Sequence, residues 1–412
     1  MNKRGKAIGL GMMALILLVA IMSACAPGAP PEKLKAKVKV MFETCNTGPI
    51  AIGGAPMGMG CMESTEYYTT KWDVPIDVMW EEMACDSKKG MLVYKRAVAD
   101  GCALYNSVLS SNIVIFARTA KEDNIVISSG PPYPTPAYME PEQYVFSGTV
   151  PYSSYGVELI KWFLKERWTE PTRHPKIGAM LLDSSSGWDV ATGAKWACEQ
   201  YGADFIGYEV LPFFGCTDST TEWLRLAGKG ADAVVCYAAG VPAIVLTRDY
   251  YILGLEEKGI TMLSATPVDE VWDVVGRETL EGHIFDMFNF YKGDAEKYPL
   301  IAEISEKCGE RWGEPGWIEL CYAAGWQTGA IIAEGLRIAV ERVGAENVDG
   351  RALRDAMVSI RNFDNGVVPP SDLTEEKPWF LDKTRICQIR GGKITIIRDW
   401  ELATLMPRVY HM

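Results

Sequence analysis

The chain has 412 residues, with 41 basic against 53 acidic side chains and 48% hydrophobic residues. That length leaves room for two cored domains of about 100–200 residues each, and charged and aromatic shares of 23% and 10% exclude a disordered, collagen-like or coiled-coil chain. A net charge of −12 argues against a nucleic-acid partner, and only three histidines (His174, His283 and His411) leave little from which to build a metal centre or a His-based hydrolase.

In chain order, Asn2-Lys3-Arg4-Gly5-Lys6 is a positive head, followed by 16 apolar residues from Ala7 to Met22. That stretch is short for a membrane span, which needs about 20 residues, and fits a secretory signal. It runs into Ser23-Ala24-Cys25, which resembles the lipobox of bacterial lipoproteins and implies lipidation of Cys25. The expected partition is a signal peptide over 1–24 and a Pro/Gly-rich tether over 25–37. No later stretch reaches 18 uncharged apolar residues, so the mature protein is expected outside the membrane, lipid-anchored at the outer face of the bacterial cell membrane or in the periplasm. Loss of Lys3, Arg4 and Lys6 takes the mature charge to −15. Alternating Lys33, Lys35, Lys37 and Lys39 read as a solvated tether and edge strand.

From residue 38 onward, strand-like runs alternate with helical patterns: strands at 38–44, 76–83, 102–106, 124–128 and 144–150, with helices at 57–71, 88–100 and 110–123 between them. A second series gives strands at 176–182, 206–211, 231–237 and 260–265, and helices at 153–167, 188–201, 220–229 and 241–253. Such alternation predicts parallel sheets covered by helices. The tail continues with a strand at 283–291, helices at 298–312, 317–343 and 350–360, and a hairpin 384–389/393–398 turning at Gly391-Gly392. Three extended crossovers, near 147–152, 283–291 and 362–384, predict two α/β lobes joined by a three-strand hinge. The first lobe is expected to comprise 38–147 plus 292–362, and the second 148–291 plus 363–412. Ten cysteines follow Cys25; Cys102, Cys236 and Cys321 sit in apolar runs and read as buried, whereas Cys45, Cys61, Cys85, Cys216 and Cys308 lie where a disulfide can form. Met57, Met59 and Met62 read as the buried face of the first helix.

Several short motifs then become specific by their order. Thr47-Gly48-Pro49-Ile50-Ala51-Ile52-Gly53-Gly54 after the first strand, Ala84-Cys85-Asp86-Ser87-Lys88, Tyr94-Lys95-Arg96, Ser110-Ser111, Ile127-Ser128-Ser129-Gly130 and Cys321-Tyr322-Ala323-Ala324 resemble the type I periplasmic binding proteins, in their leucine/isoleucine/valine-binding branch. The resemblance spans roughly 38–400 and implies a hinge-closing solute receptor of an ABC importer, without catalysis or cofactor, working with permease subunits and binding a small amino-acid-like, carboxylate or amide solute between its lobes. It also implies the contacts: Ser110 on a solute carboxylate, with Ser129 and Gly130 completing that contact, Gly53 from the opening loop, Trp188 or a neighbour as an aromatic wall, Asp269 or Glu270 for an ammonium, and Trp317 as a second wall.

The residues carry their own physics beside it. Parallel strands deliver their following loops to one edge, where ligands bind. Ser110 at a helix start offers a hydroxyl, or simply a cap; Asp269 and Glu270 also suit the start of a helix. Pro131 and Pro132 remove two N–H donors, which counts against a carboxylate contact there. Tyr105, Tyr133, Trp188, Tyr237, Trp272 and Trp317 make the loops uncommonly aromatic, so an aromatic or larger acid or amide is as credible as a branched-chain amino acid. There is no phosphate loop, G-x-S-x-G or H-E-x-x-H motif. The rival readings are a sensor of the same fold and, further off, a secreted α/β enzyme.

Overall fold

The structure, a computed structural model, describes residues 36–312 and 320–408. The signal and lipidation positions, including Cys25, and Trp317 lie outside the described residues, as does the side chain of Cys308.

Two sheets organise the chain. The first has the order β11-β5-β4-β3-β1-β2 and is parallel throughout: β1 (Val38–Thr44), β2 (Ile76–Glu82), β3 (Leu104–Asn106), β4 (Val126–Ser129), β5 (Val145–Thr149) and β11 (Trp379–Leu381). The second has the order β13-β12-β10-β9-β8-β6-β7. Its members β6 (Lys176–Leu182), β7 (Asp204–Leu211), β8 (Ala233–Tyr237), β9 (Thr261–Ser264) and β10 (Ile284–Met287) run parallel, and the hairpin β12 (Lys383–Arg390) and β13 (Lys393–Leu402) adds antiparallel at one edge. Strands β3, β4, β5 and β8 are buried along their whole length, as strands covered by helices on both faces must be, whereas β2 and β7 at the edges are only half-buried.

In both sheets the chain builds outward from an inner strand, reversing direction between β1 and β3 and again between β6 and β8. Loops leaving neighbouring strands at such a reversal diverge to opposite faces and leave a crevice at the carboxyl edge.

The helices, with differences from expectation, are α1 (Ala51–Lys71), α2 (Ser87–Ala99), α3 (Ser110–Phe116), α4 (Ser153–Trp162), α5 (Ser185–Tyr201), α6 (Thr220–Gly228), α7 (Val241–Ile252), α8 (Trp272–Val275), α9 (Leu300–Trp312), α10 (Leu320–Val343) and α11 (Gly350–Met357). Helix α1 begins six residues before the predicted 57, because its glycines and Pro56 read as loop in isolation. Tertiary contact explains them: side chains at Gly60 and at Gly325 or Gly329 of α10 would strike the facing helix backbone, so the two helices pack almost backbone to backbone. Met59 and Met62 are buried as expected, while Met57 turns elsewhere.

The chain passes between the sheets after β5, after β10 and again at Asp382, inside the crossover expected near 362–384. Strand β11 pairs with β5 in the first sheet, so the segment up to Leu381 does not join the second sheet as expected, and the crossing is at Asp382. One disulfide, Cys45–Cys85, ties the end of β1 to the loop after β2 with Cα atoms 5.4 Å apart. Cys61 and Cys216 are buried free thiols, not bridge partners, and Cys102, Cys236 and Cys321 are buried. No described helix is long and apolar enough to cross a membrane.

Candidate functional site

The carboxyl edges of the two sheets face one another across a cleft of about 820 Å³, its solvent-open mouth included. Most of its lining follows strand ends. Ile50, Gly53, Gly54 and Met57 follow β1; Val108, Leu109 and Ser110 follow β3; Pro131 and Pro132 follow β4. From the other side come Leu182, Ser184 and Ser186 around the end of β6, Phe213 after β7, Tyr237 to Ala239 at β8, and Ala265, Pro267 and Glu270 after β9. Tyr152 and Tyr155 enter at the first crossover, Asn289 at the second, and Leu320 and Ala324 from α10 close the floor.

The cleft is closed by contacts across it. Val241 N–H donates to the Pro49 carbonyl at 2.9 Å. Gly240, at φ +59°, lies so close to Pro49 that any Cβ would run into that carbonyl; only glycine meets both demands. Ser110 Oγ donates to Ser186 Oγ at 3.2 Å, Ser186 continues to Ser184 Oγ at 3.0 Å, and Ser184 accepts from Gly187 N–H at 3.1 Å as the cap of α5. A chain of hydroxyls thus links α3 to α5 over the cleft. Beside it, Ser111 Oγ accepts from Ser185 N–H at 3.5 Å.

At the floor, Asp269 and Glu270 reach from the turn after β9 to the start of α10. Asp269 Oδ2 accepts from Cys321 N–H at 3.0 Å, Glu270 accepts from Gly240 N–H, and Cys321 Sγ lies 3.6 Å from Glu270 Oε1. Two adjacent acids with no facing cation are costly to ionise when buried. Burial pushes Asp269 up to about 6 and Glu270 up to about 8, with Asp269 raising Glu270 further. The aromatic wall is equally dry: Tyr152 and Tyr237 meet edge to face at 5.1 Å, Tyr155 stacks on Phe288 at 3.8 Å, and burial raises all three phenols.

Of the residues singled out in the sequence, Gly53, Ser110, Tyr237 and Glu270 line this cleft together. Asp269 sits one step behind, on Cys321. Tyr105 lies in the core, its hydroxyl donating to buried Glu43 under β1, and Tyr133 is core as well. Ser129 is buried at the end of β4, and Gly130 packs against Met57 without lining the cleft. Trp188 is 38% exposed, edge-on to Tyr208 with its Nε1 on Asp183, and faces away from the cleft: α5 begins at Ser185, so the serines, not the tryptophan, meet the crevice. Trp272 is core. Sequence reasoning missed Tyr152, Tyr155, Phe213, Ser186 and Asn289. The first two stand just past the first crossover, and that position is the signal that finds them. Among the described residues no group of His, Cys, Asp or Glu is arranged to hold a metal ion.

The sequence model of the periplasmic binding protein family matches residues 37–393. No curated protein matches the sequence. Among solved structures, the chain is similar to a branched-chain amino acid ABC transporter protein from Thermus thermophilus with bound valine, at TM-score 0.75 and 20% identity over 90% of this chain and 97% of that one. It is similar also to a solute-binding protein of an ABC transporter from R. palustris in complex with benzoate, at 0.71 and 15% over 90% and 98%. A fatty acid ABC transporter substrate-binding protein from Thermomonospora curvata gives 0.70 and 16% over 92% and 94%. At these identities the likeness shows the fold: two sheets and flanking helices of the type I periplasmic binding protein.

Proposed function

The chain belongs to the periplasmic binding protein family, and from that premise we propose that it is the substrate-binding receptor of an ABC transporter, working outside the cytoplasm and capturing a small organic solute between its two sheets. The observation that carries this reading is the cleft itself: loops from both topological switch points converge on one volume, and Val241–Pro49 and Ser110–Ser186 hold the two sides together over it. Closure by a few hinge segments around a guest is the hinge motion of bilobal binders.

In this reading Gly53, Ser110, Tyr237 and Glu270 contact the solute, joined by Tyr152, Tyr155 and Ser186, and the permease meets the loop tips that come together on closing. Proteins of this fold include one with bound valine, one in complex with benzoate and a fatty acid transporter substrate-binding protein, which brackets the solute as a small amino-acid-like, carboxylate or amide molecule with an apolar body. The positive head, apolar stretch and Ser23-Ala24-Cys25 support export and lipid anchoring at Cys25. Mass spectrometry of a solute released from the purified protein by denaturation tests the reading, together with X-ray scattering before and after its removal; a solute at unit stoichiometry and a compact-to-extended change are expected. Palmitate labelling abolished by Cys25→Ser tests the anchor.

A further inference from the structure

Resting on that receptor reading, we propose that the solute is uncharged: an apolar body of aromatic or branched-chain size carrying a neutral head such as a carboxamide, alcohol or phenol. The cleft offers little to a charged head. No Lys, Arg or His lines it among the described residues, so a buried carboxylate finds no counter-charge among them.

At the strand tips four N–H groups are already engaged: Gly240 on Glu270, Val241 on Pro49, Ala238 on Thr266 Oγ1 at 3.1 Å and Gly187 on Ser184. Pro131 and Pro132 have none to give. The polar side chains beside them are hydroxyls, from Ser110, Ser186 and the tyrosines, each able to donate or accept. Such a set satisfies a neutral head completely and an ionised one only in part.

The acids complete the case. A solute carboxylate beside Glu270 and Asp269 would place negative charge where burial already makes ionising either acid costly. Nor is Glu270 free for an ammonium. One oxygen takes Gly240 N–H; the other presses on Gly53, where a side chain would meet it, and faces Cys321 Sγ.

The test is calorimetry at pH 7 with two trios that share a body: benzamide, benzoate and phenylalanine, then isovaleramide, isovalerate and leucine. The expected result is that the amide of at least one trio binds tenfold or more tightly than its charged partners. A carboxylate or amino acid that equals or exceeds its amide overturns the inference while leaving the receptor reading intact. Should all six fail to bind, the solute retained through purification decides: a neutral one upholds the inference and a charged one overturns it. Protein that neither binds nor retains any solute removes the receptor reading, and the inference with it.

Discussion

Closing the cleft buries Glu270, and its proton should follow. In the closed structure Glu270 meets Gly53 of α1, Gly240 before α7 and Cys321 of α10; the titratable groups around it are Asp269, Cys321, Tyr237 and Tyr152, all without positive charge. Its carboxyl stands at about 8 there, against an ordinary 4.5 when opening hydrates it. The closed form thus holds a proton that the open form releases. Closure, and with it solute affinity, is strongest below the open-state value, weakens as pH rises through the window from about 4.5 to 8, and levels off above. Each unit in that window costs up to a factor of ten, or about 1.4 kcal/mol. Asp269, at about 6 against 3.8, adds a second and lower window that ends near pH 6. Titration calorimetry with the retained solute from pH 6 to 8 should show the affinity falling by at least tenfold, and Glu270→Gln should flatten that fall because an amide carries no proton to lose. An affinity that is level over this range, or a slope unchanged in the variant, refutes the reasoning. A rise in affinity with pH refutes it more informatively, since only a solute bringing a cation to Glu270 produces that sign.

Further expectations follow from single contacts. Gly240→Ala places a Cβ on the Pro49 carbonyl at a left-handed backbone angle; the cleft should no longer close, with a tenfold or greater loss of affinity and a larger radius of gyration with solute present, and a variant as compact as the parent refutes the contact. Reducing Cys45–Cys85, whose sequence separation is 40, removes ~4 kcal/mol of stability by loop-closure entropy, so the urea midpoint should drop under reductant, and an unmoved midpoint contradicts it. Tyr155→Ala should weaken binding by tenfold or more, because it opens the aromatic wall, whereas Trp188→Ala on the outer face should bind as the parent does; the reverse order in calorimetry would return Trp188 to the cleft.

The two-sheet architecture was legible because its signal is periodic and local: buried runs such as those of β6 and β8 alternate with amphipathic helices, and their bounds need no partner to be read. Legibility failed where a residue's reason lies far away in sequence. The glycines of α1 look like loop until α10 is laid against them, and β11 declares its sheet only by pairing with β5. The same division runs through the site. Gly53, Ser110, Tyr237 and Glu270 stand directly after strands, a position that sequence marks. Trp188 misled because aromaticity carries no direction: a start of α5 three residues earlier turns the ring to the outer surface and presents serines instead. Tyr105 and Tyr133 show the other face of that ambiguity, since a ring near a strand end serves the core as readily as a crevice.

The glycine-notched contact between α1 and α10 carries a consequence for how the receptor can diversify. Backbones that nearly touch leave no slack, so Met57 and Ala324 are presented by a stiff jaw on which any added volume meets main chain. The opposing side is notched as tightly at Gly187 against Leu182 and at Gly240 against Pro49, whereas Phe213 lines the cleft outside such contacts. New solute preferences should therefore be written around Phe213, while the glycine contacts are inherited unchanged.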